Sequence, residues 1–173
     1  EGASPLMVEH LESIVARLGR SVRDERDRAL VLLGFWGALR GGELCALRPE
    51  DLSFHESGMV VRVPGVDDAQ SGENVLVPVP TASVAQLCAV RAVRTWLDVL
   101  ASKASLQGPL LRPVVGECRL AQTQMSTRAV SRVVERLARN IGLEGDYSSH
   151  SLRGGYAASA YLLGVREPDI QRH

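Results

Sequence analysis

A mainly α domain with a small antiparallel β-sheet, an α+β arrangement, is what this sequence of 173 residues predicts. Three observations carry the prediction. Apolar residues recur at helical spacing over most of the chain. Period-two alternation is confined to residues 52–79, and no internal repeat, low-complexity tract or linker divides the sequence. With 45% hydrophobic and 23% charged residues, a chain of this length fills one core, so residues 1–173 read as a single domain.

The elements run in order. Ser4-Pro5 reads as an N-cap followed by proline at the first helical position. Leu6, Val8, Leu11, Ile14, Val15 and Leu18 form the apolar face of the helix it opens, which ends at Gly19. Ser21 and Asp24 make a capping-box pair at the start of a second helix, residues 22–38, polar for one turn and almost wholly apolar from Ala29. That composition marks it as the central buried helix. Arg40-Gly41-Gly42-Glu43 breaks the run, and a short helix over 43–47 stops before Pro49. Residues 52–54, 59–63 and 75–79 read as three antiparallel strands, the last two joined by a polar, glycine-containing loop. Thr81 or Ser83 opens a long amphipathic helix to about Ser102, and residues 103–125 are irregular with one short strand at 110–111. Ser126 caps a helix to Asn140, with Gly142 as its C′ residue. Ser148 and Ser149 precede a last apolar helix that Gly164 ends, and residues 166–173 begin another.

Charge and cysteine content narrow the function classes. The formal net charge is zero, which a protein that simply coats nucleic acid does not show. Its distribution is uneven. Residues 43–74 carry seven acids against Arg48 and Arg62, whereas residues 112–139 carry six arginines against Glu117 and Glu135. Of twenty basic residues only Lys103 is a lysine, so any role that needs one has a single candidate. Cys45, Cys88 and Cys118 are scattered, odd in number and without CxxC spacing, and the four histidines lack ligand spacing. This argues against a disulfide framework and against a metal site, and it suits a reducing cytosol. The longest apolar run, residues 29–39, is too short for a membrane span. A cytoplasmic protein with no membrane partner is expected.

Two stretches carry candidate chemistry. His150 and Arg153 stand at i, i+3 on one face of a helix start, where exposed N–H groups add partial positive charge. A proton-transfer group and a guanidinium there make an anion site; a surface histidine beside an ion-paired arginine is the alternative. Arg40 is the second anchor, at the C-terminal end of the buried helix, beside a Gly-Gly step and with Glu43 able to reach back and orient it. A helix-ending arginine that stabilises the dipole is the alternative there. On the helix after Ser126, Arg128, Arg132, Arg136 and Arg139 fall within an arc of about 80°. They form either a solvated face with local ion pairs or a stripe facing phosphates.

Residues 34–52, running Gly-Phe-Trp-Gly-Ala-Leu-Arg40-Gly-Gly-Glu43-Leu-Cys-Ala-Leu-Arg-Pro-Glu-Asp51-Leu52, resemble the first arginine box of the tyrosine recombinases, or phage integrases. His150-Ser151-Leu152-Arg153 resembles the family's second box, H-x-L-R, and Gly164-Val165 with Ile170-Gln171 fits the family's usual segment after that box. The two boxes stand in the family's order with a hairpin between them. The resemblance covers nearly the whole chain and implies the catalytic-domain fold of that family.

It further implies site-specific DNA strand cleavage and rejoining without a metal or other cofactor. Arg40 and Arg153 would grip the scissile phosphate, His150 would assist proton transfer, and a tyrosine would attack phosphorus to give a 3′-phosphotyrosyl intermediate. Duplex DNA is the implied partner, with a homo-oligomer, a tetramer, assembled on it, in a protein of bacterial or phage origin. The chain departs from the family pattern in several places. The hairpin loop around residues 66–70 lacks the family's lysine, and Lys103 lies too late in sequence to match. Both box arginines are followed by Gly-Gly. Tyr147, Tyr156 and Tyr161 lie too early to be the nucleophile and read as core or capping residues, so the nucleophile is expected beyond His173 and this stretch alone is expected to be inactive. The N-terminal DNA-clamp domain is likewise expected outside it. A recombinase-like DNA-binding or regulatory protein without chemistry is the alternative from another class, and a type IB topoisomerase, which shares the Arg/His logic, is a third.

Overall fold

The computed structural model of the protein describes residues 2–64 and 74–162. Six helices, α1 (Val8–Arg17), α2 (Val22–Trp36), α3 (Gly41–Ala46), α4 (Ala89–Lys103), α5 (Thr127–Asn140) and α6 (Ser149–Leu162), surround one core. A three-stranded antiparallel sheet, β1 (Leu52–His55), β2 (Gly58–Val63) and β3 (Val75–Pro80), lies in the order β1-β2-β3. A two-stranded ribbon, β4 (Val114–Val115) and β5 (Arg119–Leu120), completes the described elements.

α2 is the central helix, as its composition predicts. Every residue from Ala29 to Phe35 is buried, because α4 covers one side and α6 another. α4 turns Ala89, Val90, Ala92, Val93, Trp96 and Leu100 inward, and the Trp96 indole N–H donates to Leu110 O at 2.8 Å. In the sheet, Met59, Val61 and Val63 of β2 alternate into the core, with Val61 opposite Val77. Arg62 braces the entry to β1 through Nε and a terminal nitrogen on Asp51 Oδ1, at 3.1 and 2.7 Å.

Four expectations change. α1 begins at Val8 rather than at Pro5; the segment before it lies along α6, with the Leu6 N–H donating to Ser151 O at 2.9 Å and the Leu6 side chain fully buried. The long helix expected from Thr81 or Ser83 starts at Ala89, after a 3₁₀ turn at Ala85–Leu87. Leu110 and Leu111 are buried as predicted but form no strand. The Leu110 N–H goes to Leu47 O and the Leu111 carbonyl accepts from Met125 N, single bonds to different partners rather than a ladder. The ribbon forms instead just beyond them, around Gly116 with φ of 65°.

The polar start of α2 is not a solvated turn, since Glu25, Arg26 and Asp27 are buried. Asp27 has no exposed surface and is shared between Arg26, at 2.7 Å, and Arg136 of α5. A buried carboxylate held by two guanidiniums is satisfied rather than costly. It fixes α5 against α2. The loop over residues 105–122 is tied together by Arg112, which is wholly buried and donates to Ser105 O, Gln107 O, Pro109 O and Gln122 Oε1.

Candidate active site

α2 does not run into Arg40. After Trp36 the Leu39 N–H reaches back to Gly34 O at 3.1 Å and the Ala38 N–H to Phe35 O at 3.0 Å. This is the paired closure of a Schellman turn, whose C′ residue adopts the left-handed conformation. That residue is Ala38, with φ of 48°. Arg40 therefore lies beyond the helix end expected for it, in extended backbone (φ −72°, ψ 154°), as the N-cap of α3. The helix restarts at Gly41 rather than Glu43, so the Gly-Gly pair forms its first turn. Glu43 does reach back. Its Oε2 accepts the Arg40 N–H at 2.6 Å, and its Oε1 lies 3.8 Å from the Arg40 guanidinium, which is half exposed.

Two serines, Ser148 and Ser151, cap the start of α6. The His150 N–H donates to Ser148 Oγ at 3.3 Å, and the Ser148 N–H donates to Ser151 Oγ at 3.0 Å. The helix begins one residue before His150, at Ser149. His150 is exposed. Leu152, one position before Arg153, is fully buried over Gly34 and beside Leu44. Burying a leucine contributes roughly 1.5–3 kcal/mol, and here it fastens α6 to both α2 and α3. Arg153 donates to Ala38 O at 2.7 Å. The second box thus contacts the backbone of the turn that delivers Arg40.

The starts of α3, α5 and α6 meet at one point. A Cβ built on Gly41 would stand 2.5 Å from Ser149 Oγ and 2.8 Å from Thr127 Cγ2. Only glycine allows that approach. Ser131 of α5 locks the junction: its Oγ accepts from Ser149 N at 3.1 Å and donates to Ser149 Oγ at 3.2 Å. The buried Cys45 thiol hydrogen-bonds Thr127, and burial raises its pKa, the hydrogen bond opposing that. Arg40, His150 and Arg153 therefore sit on adjoining turns where helix N-termini converge. Partial positive charge from α5 and α6 adds to two guanidiniums, an arrangement suited to a phosphate diester.

The arginine stripe of α5 divides. Arg136 is taken by Asp27, and Arg139 pairs with Glu135 at 2.6 Å. Arg128 and Arg132, in the half of α5 nearest the Gly41 junction, are exposed and have no ion pair among the described residues. Tyr156 packs edge-on against Phe35 with centroids 6.1 Å apart, and burial raises its pKa, the reverse of what an activated nucleophile needs. Tyr161, expected as a core or capping residue, is instead 71% exposed, because it falls on the outer face of α6. Lys103 ends α4. The hairpin loop at 66–70 and the stretch after Gly164 lie outside the described residues.

Sequence reasoning missed Ala38, Thr127 and Ser131, and it did not foresee that Gly41 and Ser149 meet each other. Their roles are contacts between segments far apart in sequence, and none of these residue types signals such a contact on its own. Asp27 carried a faint signal, as an acid just before an apolar run.

Residues 6–172 match the phage integrase family. The chain is 34% identical over 161 residues to an integrase/recombinase xerD homolog of Selenomonas ruminantium, covering 92% of this chain and 46% of that protein. Its fold is similar to the XerH site-specific recombinase solved on a palindromic difH substrate after cleavage, with TM-score 0.74, 16% identity, and coverage of 99% of this chain and 46% of that one. It is also similar to the lambda integrase catalytic core, with TM-score 0.63 and 16% identity, covering 97% of this chain and 88% of that core. The chain thus spans about half the length of the curated relatives it matches.

Proposed function

This chain belongs to the phage integrase family, and from that membership we propose that it is the catalytic domain of a site-specific tyrosine recombinase acting on duplex DNA. Arg40 and Arg153 hold the non-bridging oxygens of the scissile phosphate, and His150 handles the proton moving between solvent and the reacting oxygens. A tyrosine that is none of Tyr147, Tyr156 or Tyr161 attacks phosphorus. The tyrosine oxygen–phosphorus bond forms as the bond to the 5′-oxygen breaks, leaving a 3′-phosphotyrosyl linkage and a 5′-hydroxyl. A 5′-hydroxyl from the partner strand reverses the step, so the phosphodiester count is conserved and no external energy source is needed. Phosphoryl transfer of this kind depends chiefly on positioning and on neutralising charge in the transition state.

The observation that supports the reading most strongly is the 2.7 Å hydrogen bond from Arg153 to Ala38 O, which ties the second arginine to the turn carrying the first. Glu43 holds the Arg40 turn in place, and Arg128 and Arg132 supply contacts to the DNA backbone. A homo-tetramer on DNA and a cytoplasmic location complete the proposal. Lys103 is the sole lysine and closes α4, which favours as second reading a recombinase-like protein that binds DNA without cutting it.

One experiment separates the two. The full-length protein is incubated in EDTA with a nicked suicide duplex carrying the site it selects from a random pool. The enzyme yields a denaturation-resistant complex on the 3′ side of the break. Tight binding with intact strands establishes the binder.

A further inference from the structure

Among the described residues Ala38 is the one non-glycine residue with positive φ, at 48°. Left-handed backbone is unfavourable for an alanine and open to glycine, so something must hold it there. The Schellman closure does part of this, through Leu39 N to Gly34 O and Ala38 N to Phe35 O. The side chain is buried, so it cannot swing out to relax. The consequence is the direction of the Ala38 carbonyl. With the residue left-handed, its oxygen leaves the α2 axis and receives Arg153 at 2.7 Å. Strained backbone that aims a polar group at a candidate active site is a recognised form of pre-organisation.

We propose that Ala38 is a positioning residue for strand cleavage, its left-handed turn presenting the carbonyl that fixes the Arg153 guanidinium against the scissile phosphate. The inference rests on the proposed recombinase function. Ala38 touches neither DNA nor the reacting atoms and acts only through Arg153. One terminal N–H of the guanidinium is anchored to the protein, which sets the plane of the fork while the remaining donors face the phosphate. The same carbonyl fixes the distance to Arg40 two residues on, since the chain between them is a single short turn.

The test uses the full-length protein on the suicide duplex and compares Ala38→Val with Ala38→Gly in the Arg153 and Arg153→Lys backgrounds. A β-branched residue resists the left-handed region, so Ala38→Val turns the carbonyl away. Cleavage then falls roughly 10- to 100-fold with Arg153 present, the scale of a misplacement near 1 Å, while DNA affinity is unchanged. In the Arg153→Lys background, where the fork is already absent, Ala38→Val has little further effect. An equal fall in both backgrounds overturns the proposal, because Ala38 would then act elsewhere. Ala38→Gly holds the left-handed turn without strain, so it raises the melting temperature and cleaves faster than Ala38→Val. A lower melting temperature for Ala38→Gly overturns the proposal even if Ala38→Val does not fold. Failure of the wild-type protein to cleave at all would refute the recombinase reading instead, and the melting comparison does not depend on it.

Discussion

Gly41 and Ser149 touch so closely that a Cβ on Gly41 would stand 2.5 Å from Ser149 Oγ. These are the residues next to Arg40 and His150, so the contact sets the separation between the two halves of the candidate site. Gly41→Ala should destabilise the protein by about 1–3 kcal/mol, the usual cost of overpacking. Ser149→Ala in the same chain should recover part of that loss, because it removes the atom of closest approach while leaving Ser149 Cβ at 2.8 Å. Denaturant unfolding of the two single variants and the double variant measures this coupling.

Asp27 predicts an asymmetry. Asp27→Ala leaves the Arg26 guanidinium, with 7% of its side chain exposed, buried without its carboxylate. Removing one partner of a buried ion pair costs about 3–5 kcal/mol. Arg136→Met withdraws the other arginine, whose side chain is 40% exposed, and Asp27 keeps Arg26. That change should cost about 1 kcal/mol or less. Urea midpoints of the two variants, compared at equal m-value, check the order.

The division of the α5 stripe predicts two classes of arginine. Replacing Arg128 and Arg132 together by glutamine should reduce the slope of log affinity against log salt by about 0.9 for each phosphate no longer neutralised. Replacing Arg139, already paired with Glu135, should leave the slope nearly unchanged. DNA-binding titrations across a salt series read both. An unchanged slope for the Arg128/Arg132 variant would return the whole stripe to a solvated face.

How far the sequence foretells these features depends on where each one's partners lie. α5 is legible almost to the residue, because Ser126, the valine face and Gly142 are local signals, and Ser126 Oγ does accept from Ala129 N. α2 is legible as the buried helix because its apolar run has no polar face. Arg40, His150 and Arg153 stand out through their spacing and their resemblance to two family boxes, not through any property of the single residues. What escapes is non-local. The segment before α1 is held by a bond from Leu6 to Ser151, a residue at the other end of the chain. Arg112 belongs to an arginine-rich stretch of sequence, yet it is buried among four oxygen acceptors supplied by its own loop. The left-handed Ala38 comes after a glycine at position 37 that would be the natural candidate for that conformation, and α2 ends at Trp36, two residues short of the expected end at 38.

If Arg40 and Arg153 act together on one phosphate, the rate of covalent complex formation must depend on both. Full-length Arg40→Ala and Arg153→Ala variants would be followed over time on the nicked suicide duplex, with binding measured in parallel. Removing one pre-organised donor to a developing charge typically costs about 10²- to 10³-fold in rate, so each variant should bind the duplex and form covalent complex at least that much more slowly than wild type. Covalent complex at the wild-type rate with either variant would show that the two arginines do not share the phosphate.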